Sequence, residues 1–246
     1  MRVTGNTVLI TGGGSGIGFA LAQRFAAREN TVIICGRRGD KLEEAKQSIS
    51  GLHTVVCDVA SPGEREDLVN RVMSDFPEIN VLVNNAGIQR RIDLTSNEDW
   101  DRTGSEIAVN LEAPIHLSQL FFPHLASKEN SAIVNVTSGL SFVPLANVPV
   151  YCATKAALHS FTASLRWQLK DTPVEVIEII PPAVDTDLQA PGLHTFGVDV
   201  DEFADHVFKE LEKGKIEIAY GTALAGSRAS RDQLDETFER MNSTFR

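Results

Sequence analysis

The chain has 246 residues, of which 42% are hydrophobic and 23% are charged, and its formal net charge is −10. This composition is typical of a globular protein with room for one large α/β domain or two small ones. Because nucleic-acid binding needs clustered positive charge, the acidic balance disfavours a protein that binds a phosphate backbone.

Three cysteines and one short apolar run bear on the compartment. Cys35, Cys57 and Cys152 are an odd and sparse set, which does not suggest a disulfide framework and favours a reducing environment. None of them has the spacing of a metal ligand, so we expect no metal site. The first apolar run, residues 8–10, is too short for a signal peptide or a membrane span. We therefore expect a cytoplasmic protein without membrane insertion.

Short β-branched runs alternate with longer helical patterns along the chain. Several runs are apolar at every position, which is typical of strands buried on both faces. The alternation predicts an α/β fold, a doubly wound parallel sheet with helices on both faces. No linker or repeat interrupts it, so we expect one domain over residues 1–246. The predicted strands are residues 7–10, 31–35, 53–57, 81–83, 132–136, 174–180 and 216–219, and the predicted helices are residues 17–28, 40–49, 62–76, 106–125, 150–169 and 201–213.

A glycine-rich turn follows the first strand and opens the first helix. This is the context that a dinucleotide-binding loop requires. Glycines allow a tight turn, and the unpaired N–H groups at a helix N-terminus favour a pyrophosphate. The spacing of Gly12, Gly16 and Gly18 departs from G-x-G-x-x-G, and a merely flexible glycine turn is the alternative.

The end of the second strand bears on the cofactor. An NAD site usually has an acidic residue there for the ribose 2′-hydroxyl, whereas this chain has Arg37 and Arg38. Guanidinium groups pair well with phosphate, which favours a 2′-phosphate and hence NADP(H), with NAD(H) as the second choice. Two solvated arginines in a loop are the alternative. Asp58, after the third strand, could bind the adenine amino group or serve as an ordinary turn carboxylate.

Asparagines occur at the end of the fourth strand and inside the next helical pattern. Asn84, Asn85 and Gly87 would lie at the carboxyl end of a parallel strand, where they could line a cofactor crevice or simply end the strand. Asn110 lies between apolar neighbours, and a buried amide is costly unless it is bonded. It could hold a water molecule near an active site or bond locally.

Tyr151 and Lys155 lie four residues apart on a predicted helix and therefore on one side of it. An ammonium group near a phenol favours phenolate, so we expect Lys155 to lower the pKa of Tyr151. Ser138 follows the fifth strand and could hold a carbonyl oxygen while Tyr151 passes it a proton. Taken alone, the Tyr-x-x-x-Lys pattern more often indicates only a surface Tyr and Lys on one face of a helix.

The segments after the sixth strand have less specific patterns. Thr186 offers a hydroxyl to an amide or a phosphate, and residues 188–198 predict either a lid or a surface connection. Residues 227–246 predict an amphipathic helical tail around Leu234, Phe238 and Met241. The tail could pack on a partner subunit or lie on the surface.

Together these motifs resemble the short-chain dehydrogenase/reductases over residues 5–220. They have the order and spacing of that family: Thr11-Gly12-x-x-x-Gly16-x-Gly18, Asn84-Asn85-Ala86-Gly87, Asn110, Ser138 and Tyr151-x-x-x-Lys155. The resemblance implies a Rossmann-type sheet of seven parallel strands and reversible reduction of a carbonyl substrate to a secondary alcohol.

The resemblance also implies residue roles. Tyr151 would be the acid/base, Lys155 would lower its pKa and hold the nicotinamide ribose, Ser138 would orient the substrate oxygen, and Asn110 would support a proton-relay water. The implied cofactor contacts are Gly12, Ser15, Gly16, Ile17 and Gly18 at the pyrophosphate, Arg37 and Arg38 at the 2′-phosphate, Asp58 and Val59 at adenine, Asn85, Ala86 and Gly87 on the adenosine side, and Val184 and Thr186 at the nicotinamide amide.

A narrower resemblance is to the DltE-type bacterial oxidoreductases, in residues 35–37, 136–140, 149–160 and 181–184. Two departures from the wider family matter. Pro182-Ala183 replaces the usual Pro-Gly, which could stiffen the nicotinamide end of the site. A polar tail replaces the glycine-rich strand end of ketoacyl reductases, which favours a homodimer, through the helices containing Asn110 and Tyr151, over a tetramer.

Candidate substrate contacts are apolar, which suggests a small or medium hydrophobic carbonyl or secondary alcohol, although several of them could only pack the core. Two other functions fit the pattern less well: a cofactor-binding sensor with little catalysis, and a sugar-nucleotide epimerase, for which the chain after Lys155 is short. The candidate pocket residues are Leu140, Phe142, Val143, Leu188 and Phe196.

Overall fold

The computed structural model describes residues 1–96, 99–188 and 195–243. Seven parallel strands form one sheet in the order β3-β2-β1-β4-β5-β6-β7, which confirms the predicted α/β fold. The chain starts near the middle of the sheet, winds out to β3 and returns to β4 on the other side of β1. The strands are β1 (Thr7–Thr11), β2 (Thr31–Gly36), β3 (His53–Val56), β4 (Ile79–Asn84), β5 (Ser131–Val136), β6 (Val174–Ile180) and β7 (Glu217–Ala219).

The helices cover both faces of the sheet, because successive strand residues point to opposite sides and both sides are apolar. In β1, Val8 and Ile10 belong to the core cluster under α1, α2 and α7, whereas Leu9 belongs to the cluster under α3 and α5. The helices are α1 (Gly16–Ala26), α2 (Gly39–Ser48), α3 (Pro62–Asp75), α4 (Trp100–Ile107), α5 (Ala113–Leu125), α6 (Pro149–Gln168), α7 (Val200–Glu212), α8 (Gly221–Ser227) and α9 (Arg231–Asn242).

The helix predicted at residues 106–125 differs from the observed one. Helical structure begins earlier, at Trp100, and a π-helical turn, Ala108–Glu112, separates α4 from α5. Pro114 has no N–H for the carbonyl of Asn110, so regular α-helical bonding cannot continue through this point. The π turn carries Asn110, whose side chain is wholly buried. Wider helical turns of this kind are frequent at functional sites.

The C-terminal segment folds back on its own chain. The sequence did not predict α8, whereas α9 accounts for the predicted amphipathic tail and starts with a reciprocal capping box between Ser230 and Gln233. Near the end of α9, the Asn242 side chain accepts a hydrogen bond from the Ala146 N–H at 2.6 Å and donates to the Pro144 carbonyl at 3.1 Å. The described part of the tail therefore packs on the loop that leads into α6.

No helix within the three described ranges is long and apolar enough to cross a membrane.

Candidate functional site

A cavity of about 1250 Å³ opens at the carboxyl ends of the strands. This is where open α/β sheets bind ligands. Gly18 and Asn110 are not among the described residues that line it. The sequence-predicted residues that do line it are Gly12, Ser15, Gly16, Ile17, Arg37, Arg38, Asp58, Val59, Asn85, Ala86, Gly87, Ser138, Tyr151, Lys155, Val184 and Thr186.

The glycine turn forms one end of this cavity, and it admits no side chain at its tightest points. A Cβ atom on Gly13 would lie 2.4 Å from Ile34 on β2, and one on Gly18 would lie 2.4 Å from the Gly12 carbonyl oxygen. Gly12 has a φ of +65°, in the left-handed region that favours glycine. Gly18 does not line the cavity, and its lack of a side chain lets α1 pack closely against the turn.

The N-terminus of α1 faces the cavity without a side-chain cap. The Ser15 side chain makes no hydrogen bond to the first turn of the helix. Its hydroxyl accepts a hydrogen bond from the Arg38 guanidinium instead, at 3.0 Å. Uncapped N–H groups at a helix N-terminus suit a phosphate, and the arginine adds positive charge at the same point.

Arg37 and Arg38 lie on the same side of the cavity mouth. Arg37 forms an ion pair with Asp58 across 3.8 Å, and about half of its side chain is exposed. Asp58 also accepts a hydrogen bond from the Ala60 N–H at 3.0 Å, as an ordinary turn carboxylate does. Both arginines are exposed at the cavity mouth, and each has one polar partner there.

Thr11 ties β4 to the glycine turn, a role that its place in the glycine motif did not predict. Its hydroxyl accepts hydrogen bonds from the N–H groups of Asn85 and Ala86, each at 3.0 Å. The Asn85 amide in turn donates to the carbonyls of Thr11 and Gly12, at 3.0 and 3.2 Å. The start of the segment after β4 therefore holds the glycine turn in place at one end of the cavity.

Ser138, Tyr151 and Lys155 lie together further along the cavity. Ser138 follows β5, and its hydroxyl accepts a hydrogen bond from the Leu140 N–H at 3.1 Å. Tyr151 and Lys155 are buried one turn apart on α6. The Lys155 ammonium donates to the Val136 carbonyl at 2.7 Å and lies 5.7 Å from the centre of the Tyr151 ring.

The electrostatics of this group differ from the expectation. Burial raises the pKa of Tyr151 well above 10, and the neighbouring Ser138 hydroxyl only partly opposes this rise. Burial also lowers the pKa of Lys155 to about 8. We expected Lys155 to lower the pKa of Tyr151, and that expectation is wrong for the described structure. The ammonium group is bonded to β5, and loss of hydration dominates the phenol's environment.

The Asn110 side chain bonds to groups that are distant in sequence rather than within its own helical turn. Its side-chain oxygen accepts from the Ile88 N–H at 2.9 Å, and its amide nitrogen donates to the Ile88 carbonyl at 2.8 Å. The same nitrogen lies 3.2 Å from the Thr154 hydroxyl on α6. Asn110 therefore fixes the segment after β4 against the helix that carries Tyr151 and Lys155.

The candidate substrate pocket is only partly as predicted. Leu140, Val143, Leu188 and Phe196 line the cavity. Phe142 instead packs in a small cluster with α8 and against the His159 ring, at 4.8 Å between ring centres. Of the predicted lid, residues 189–194 lie outside the described residues.

One wall of the cavity was not predicted from the sequence. Residues of α9 line it, namely Gln233, Leu234, Glu236, Thr237, Arg240 and Met241. The sequence showed that the tail is amphipathic, but it did not show which surface of the protein the tail would cover. In the described residues, no group of three or more His, Cys, Asp and Glu side chains could hold a metal ion.

Comparison with known proteins identifies the family. The model of the short chain dehydrogenase family matches residues 6–195. The chain belongs to this family. It is 49% identical over 249 residues to the uncharacterized oxidoreductase DltE of Bacillus subtilis, with 99% of each chain covered, which confirms the narrower resemblance. Family membership makes the protein an oxidoreductase that uses a nucleotide cofactor.

Solved structures of short-chain dehydrogenases share the fold. A short chain dehydrogenase from Burkholderia cenocepacia in complex with NADP is 27% identical, with a TM-score of 0.83 over 97% of this chain and 99% of that one. A short chain dehydrogenase/reductase from Burkholderia phymatum in complex with NAD is 19% identical, with a TM-score of 0.86 over 96% of each chain. In this chain, the uncapped α1 terminus and the closely packed glycine turn fit the phosphates of a dinucleotide.

Proposed function

We propose that this protein is an NADP(H)-dependent oxidoreductase that interconverts a carbonyl group and a secondary alcohol. One observation carries the proposal: a single cavity has Arg37 and Arg38 at one end and Ser138, Tyr151 and Lys155 further along it. The first end suits a phosphorylated dinucleotide, and the second supplies a proton donor beside a hydroxyl group.

The cofactor preference rests on charge. Guanidinium groups bind phosphate through paired, charge-assisted hydrogen bonds, and the position of Arg37 and Arg38 at the cavity mouth supports a contact with a ribose 2′-phosphate. The NADP complex of the Burkholderia cenocepacia relative supports the same choice. NAD(H) can also be accommodated, since the arginines add affinity for a phosphate without closing the site to a hydroxyl group.

The chain's own residues would do the acid–base work. When bound, NADPH would supply the hydride for the carbonyl carbon. Tyr151 donates its phenolic proton to the carbonyl oxygen as negative charge develops there, and the Ser138 hydroxyl holds that oxygen by a hydrogen bond. Lys155 binds the cofactor ribose, and Asn110 holds the segment after β4 against α6.

The substrate end of the cavity is mainly apolar. Leu140, Val143 and Leu188 contribute one part of its wall, and Leu234 and Met241 of α9 contribute another. Such a wall favours a small or medium hydrophobic carbonyl compound. Because α9 belongs to the same chain, each subunit would carry a complete substrate pocket.

We further propose a single-domain protein that acts as a homodimer in a reducing, cytoplasmic compartment. Trp100 on α4 and Trp167 on α6 are 70% and 71% exposed, which is unusual for large aromatic side chains and suits an interface along these helices. Cys35, Cys57 and Cys152 are buried and form no disulfide.

A turnover screen tests the proposal. The protein is incubated with NADPH, or with NADH, and a panel of hydrophobic ketones and aldehydes, and cofactor oxidation is followed. We expect turnover that is faster with NADPH and that falls strongly in Ser138→Ala. Tight NADPH binding with no turnover on any carbonyl would instead favour a cofactor sensor with this fold.

A further inference from the structure

Glu178 is a buried carboxylate in β6 to which the proposed function gives no role. It lies on the strand next to β5, and its side chain is 0% exposed. A buried carboxylate is costly unless groups inside the protein bond to it. Glu178 has two such partners, Thr137 and His159, and both of them contact the segment that carries Ser138.

The first partner, Thr137, is the residue directly before Ser138. Its hydroxyl donates to Oε1 of Glu178 at 2.7 Å, and its N–H donates to the Ile179 carbonyl at 2.9 Å. Thr137 is 1% exposed, so little water competes for these bonds. The carboxylate therefore holds the backbone at the point where the chain leaves β5 and turns into Ser138.

The second partner, His159, lies on α6. Its Nδ1 is 2.9 and 3.0 Å from the two carboxylate oxygens of Glu178, so Nδ1 carries a proton, because a carboxylate only accepts hydrogen bonds. The His159 ring packs edge-on against Phe142, with 4.8 Å between the ring centres. Phe142 follows the short turn after Ser138. The pair of Glu178 and His159 thus contacts the chain on both sides of Ser138.

The position of His159 on α6 links these contacts to the rest of the site. His159 is four residues after Lys155 and eight after Tyr151, so all three side chains lie on one face of the helix. The Glu178 carboxylate bonds to this face and to the end of β5. It therefore joins the helix that carries Tyr151 to the strand end that carries Ser138.

The surrounding charges favour an ion pair. The hydrogen bond to Glu178 raises the pKa of His159 and burial opposes part of that rise, while Glu217 on β7 raises the pKa further and Arg166 on α6 lowers it. His159 is thus protonated to higher pH than an ordinary imidazole, and the buried carboxylate keeps a positively charged partner over that range.

We propose that Glu178 and His159 form a positioning pair that holds the Ser138 hydroxyl where it and the Tyr151 phenol can bond to the same substrate oxygen. This inference rests on the proposed role of Ser138 in carbonyl reduction. In the described part of the chain, neither member of the pair lines the cavity, so both act through Ser138. The demand on position is strict, since a displacement of about 1 Å can cost about 100-fold in rate.

The test starts at Thr137, where one hydroxyl can be removed with little change in size. Thr137→Val loses the bond to Glu178, and Thr137→Ser keeps it. We expect kcat for carbonyl reduction to fall about 10-fold in Thr137→Val and to stay near that of the parent in Thr137→Ser, with the Kd for NADPH within about twofold in both.

Thr162→Val is the matched control. Thr162 is also a buried threonine, and its hydroxyl accepts a hydrogen bond from the Asn135 amide of β5 at 2.9 Å. The control thus loses a bond between α6 and β5 that does not involve the residues next to Ser138. It should keep the kcat of the parent. Equal losses of kcat in Thr162→Val and Thr137→Val would overturn the inference, as would an unchanged kcat in Thr137→Val.

Coupling to Ser138 separates positioning from a general structural role. If Thr137 acts through Ser138, Thr137→Val should lower kcat in the parent but not in Ser138→Ala, where no hydroxyl is left to position. The same fold-loss in both backgrounds would contradict the inference. His159→Phe keeps a ring against Phe142 without the bond to Glu178, and it should show the same coupling. If this variant does not fold, the Thr137 variants decide alone.

A second readout needs no turnover. The Leu140 N–H donates to the Ser138 hydroxyl at 3.1 Å, so its hydrogen exchange, measured by NMR, reports the order of this loop. We expect exchange about 2- to 10-fold faster in Thr137→Val than in the parent and in Thr162→Val.

The two readouts distinguish failure of the inference from failure of the proposed function. If the parent reduces no carbonyl compound, the proposed function is wrong, and the exchange of the Leu140 N–H decides whether the pair positions Ser138. If the parent turns over and Thr137→Val changes neither kcat nor exchange, the proposed function stands and the inference fails.

Discussion

Glu106 should make the protein less stable as the pH rises, and Glu106→Gln should remove that dependence. The folded-state pKa of this carboxyl is raised by burial to about 7, from an ordinary value of 4.5. Below the ordinary value, the group is protonated in both states and the raised pKa costs nothing. Between the two values only the unfolded chain releases its proton, so stability falls, and above the folded-state value the cost is complete.

The size of the effect follows from the same two pKa values. Each unit of pKa corresponds to about 1.4 kcal/mol, so the difference between the two values sets an upper limit of about 3.5 kcal/mol for the full cost. Relaxation and water penetration reduce such costs in real proteins, so we expect about 2 kcal/mol. The stability gained in Glu106→Gln should therefore be about 1 to 2 kcal/mol larger at about pH 8.5 than at about pH 5, where part of the cost is already present.

Urea unfolding at the two pH values measures this difference in the parent, Glu106→Gln and Glu112→Gln. Because Glu112 is exposed, its variant should differ from the parent by a similar small amount at both pH values. A stability difference between Glu106→Gln and the parent that does not change with pH would refute the reasoning. It would mean that Glu106 is hydrated or paired in the folded protein.

Two further predictions concern the cofactor end of the cavity. Replacing both Arg37 and Arg38 by Gln should weaken NADPH binding about 10- to 100-fold, because two charge-assisted contacts are lost, and should leave NADH binding nearly unchanged. Fluorescence titration with each cofactor measures this, and equal losses for both cofactors would contradict a 2′-phosphate site. Gly13→Ala should destabilise the protein by about 1 to 3 kcal/mol, because its methyl group would lie 2.4 Å from an isoleucine of β2. Gly63→Ala, where nothing lies within 4 Å, is the control and should be neutral or stabilising in urea unfolding.

The sequence predicted the fold well because its strongest signals are local. Strand runs that are apolar at every position predict a sheet covered on both faces, and the observed β1, β2 and β5 match those runs closely. The glycine turn was recognisable for the same reason, since its spacing follows from the backbone of a strand–turn–helix unit. Most of the residues predicted for the site therefore line one cavity.

What the sequence could not predict depends on tertiary contacts. The spacing of Tyr151 and Lys155 places them on one face of α6, but not the Val136 carbonyl that the ammonium group binds. Because this contact and the burial of both side chains could not be predicted, the expected change in the pKa of Tyr151 had the wrong direction. The position of the Asn110 side chain depends on bonds to Ile88, which is distant in sequence. The position of α9 over the cavity likewise depends on contacts made through Asn242.

The most direct test of the central claim is the turnover of Tyr151→Phe with NADPH and a carbonyl substrate accepted by the parent. The matched control is Tyr220→Phe, which removes the other phenol of the chain, one that donates to Glu202 away from the cavity. If Tyr151 is the acid/base, kcat should fall about 100- to 10,000-fold in Tyr151→Phe, while the Kd for NADPH stays within about twofold and Tyr220→Phe behaves as the parent. Full turnover in Tyr151→Phe would contradict the proposed mechanism.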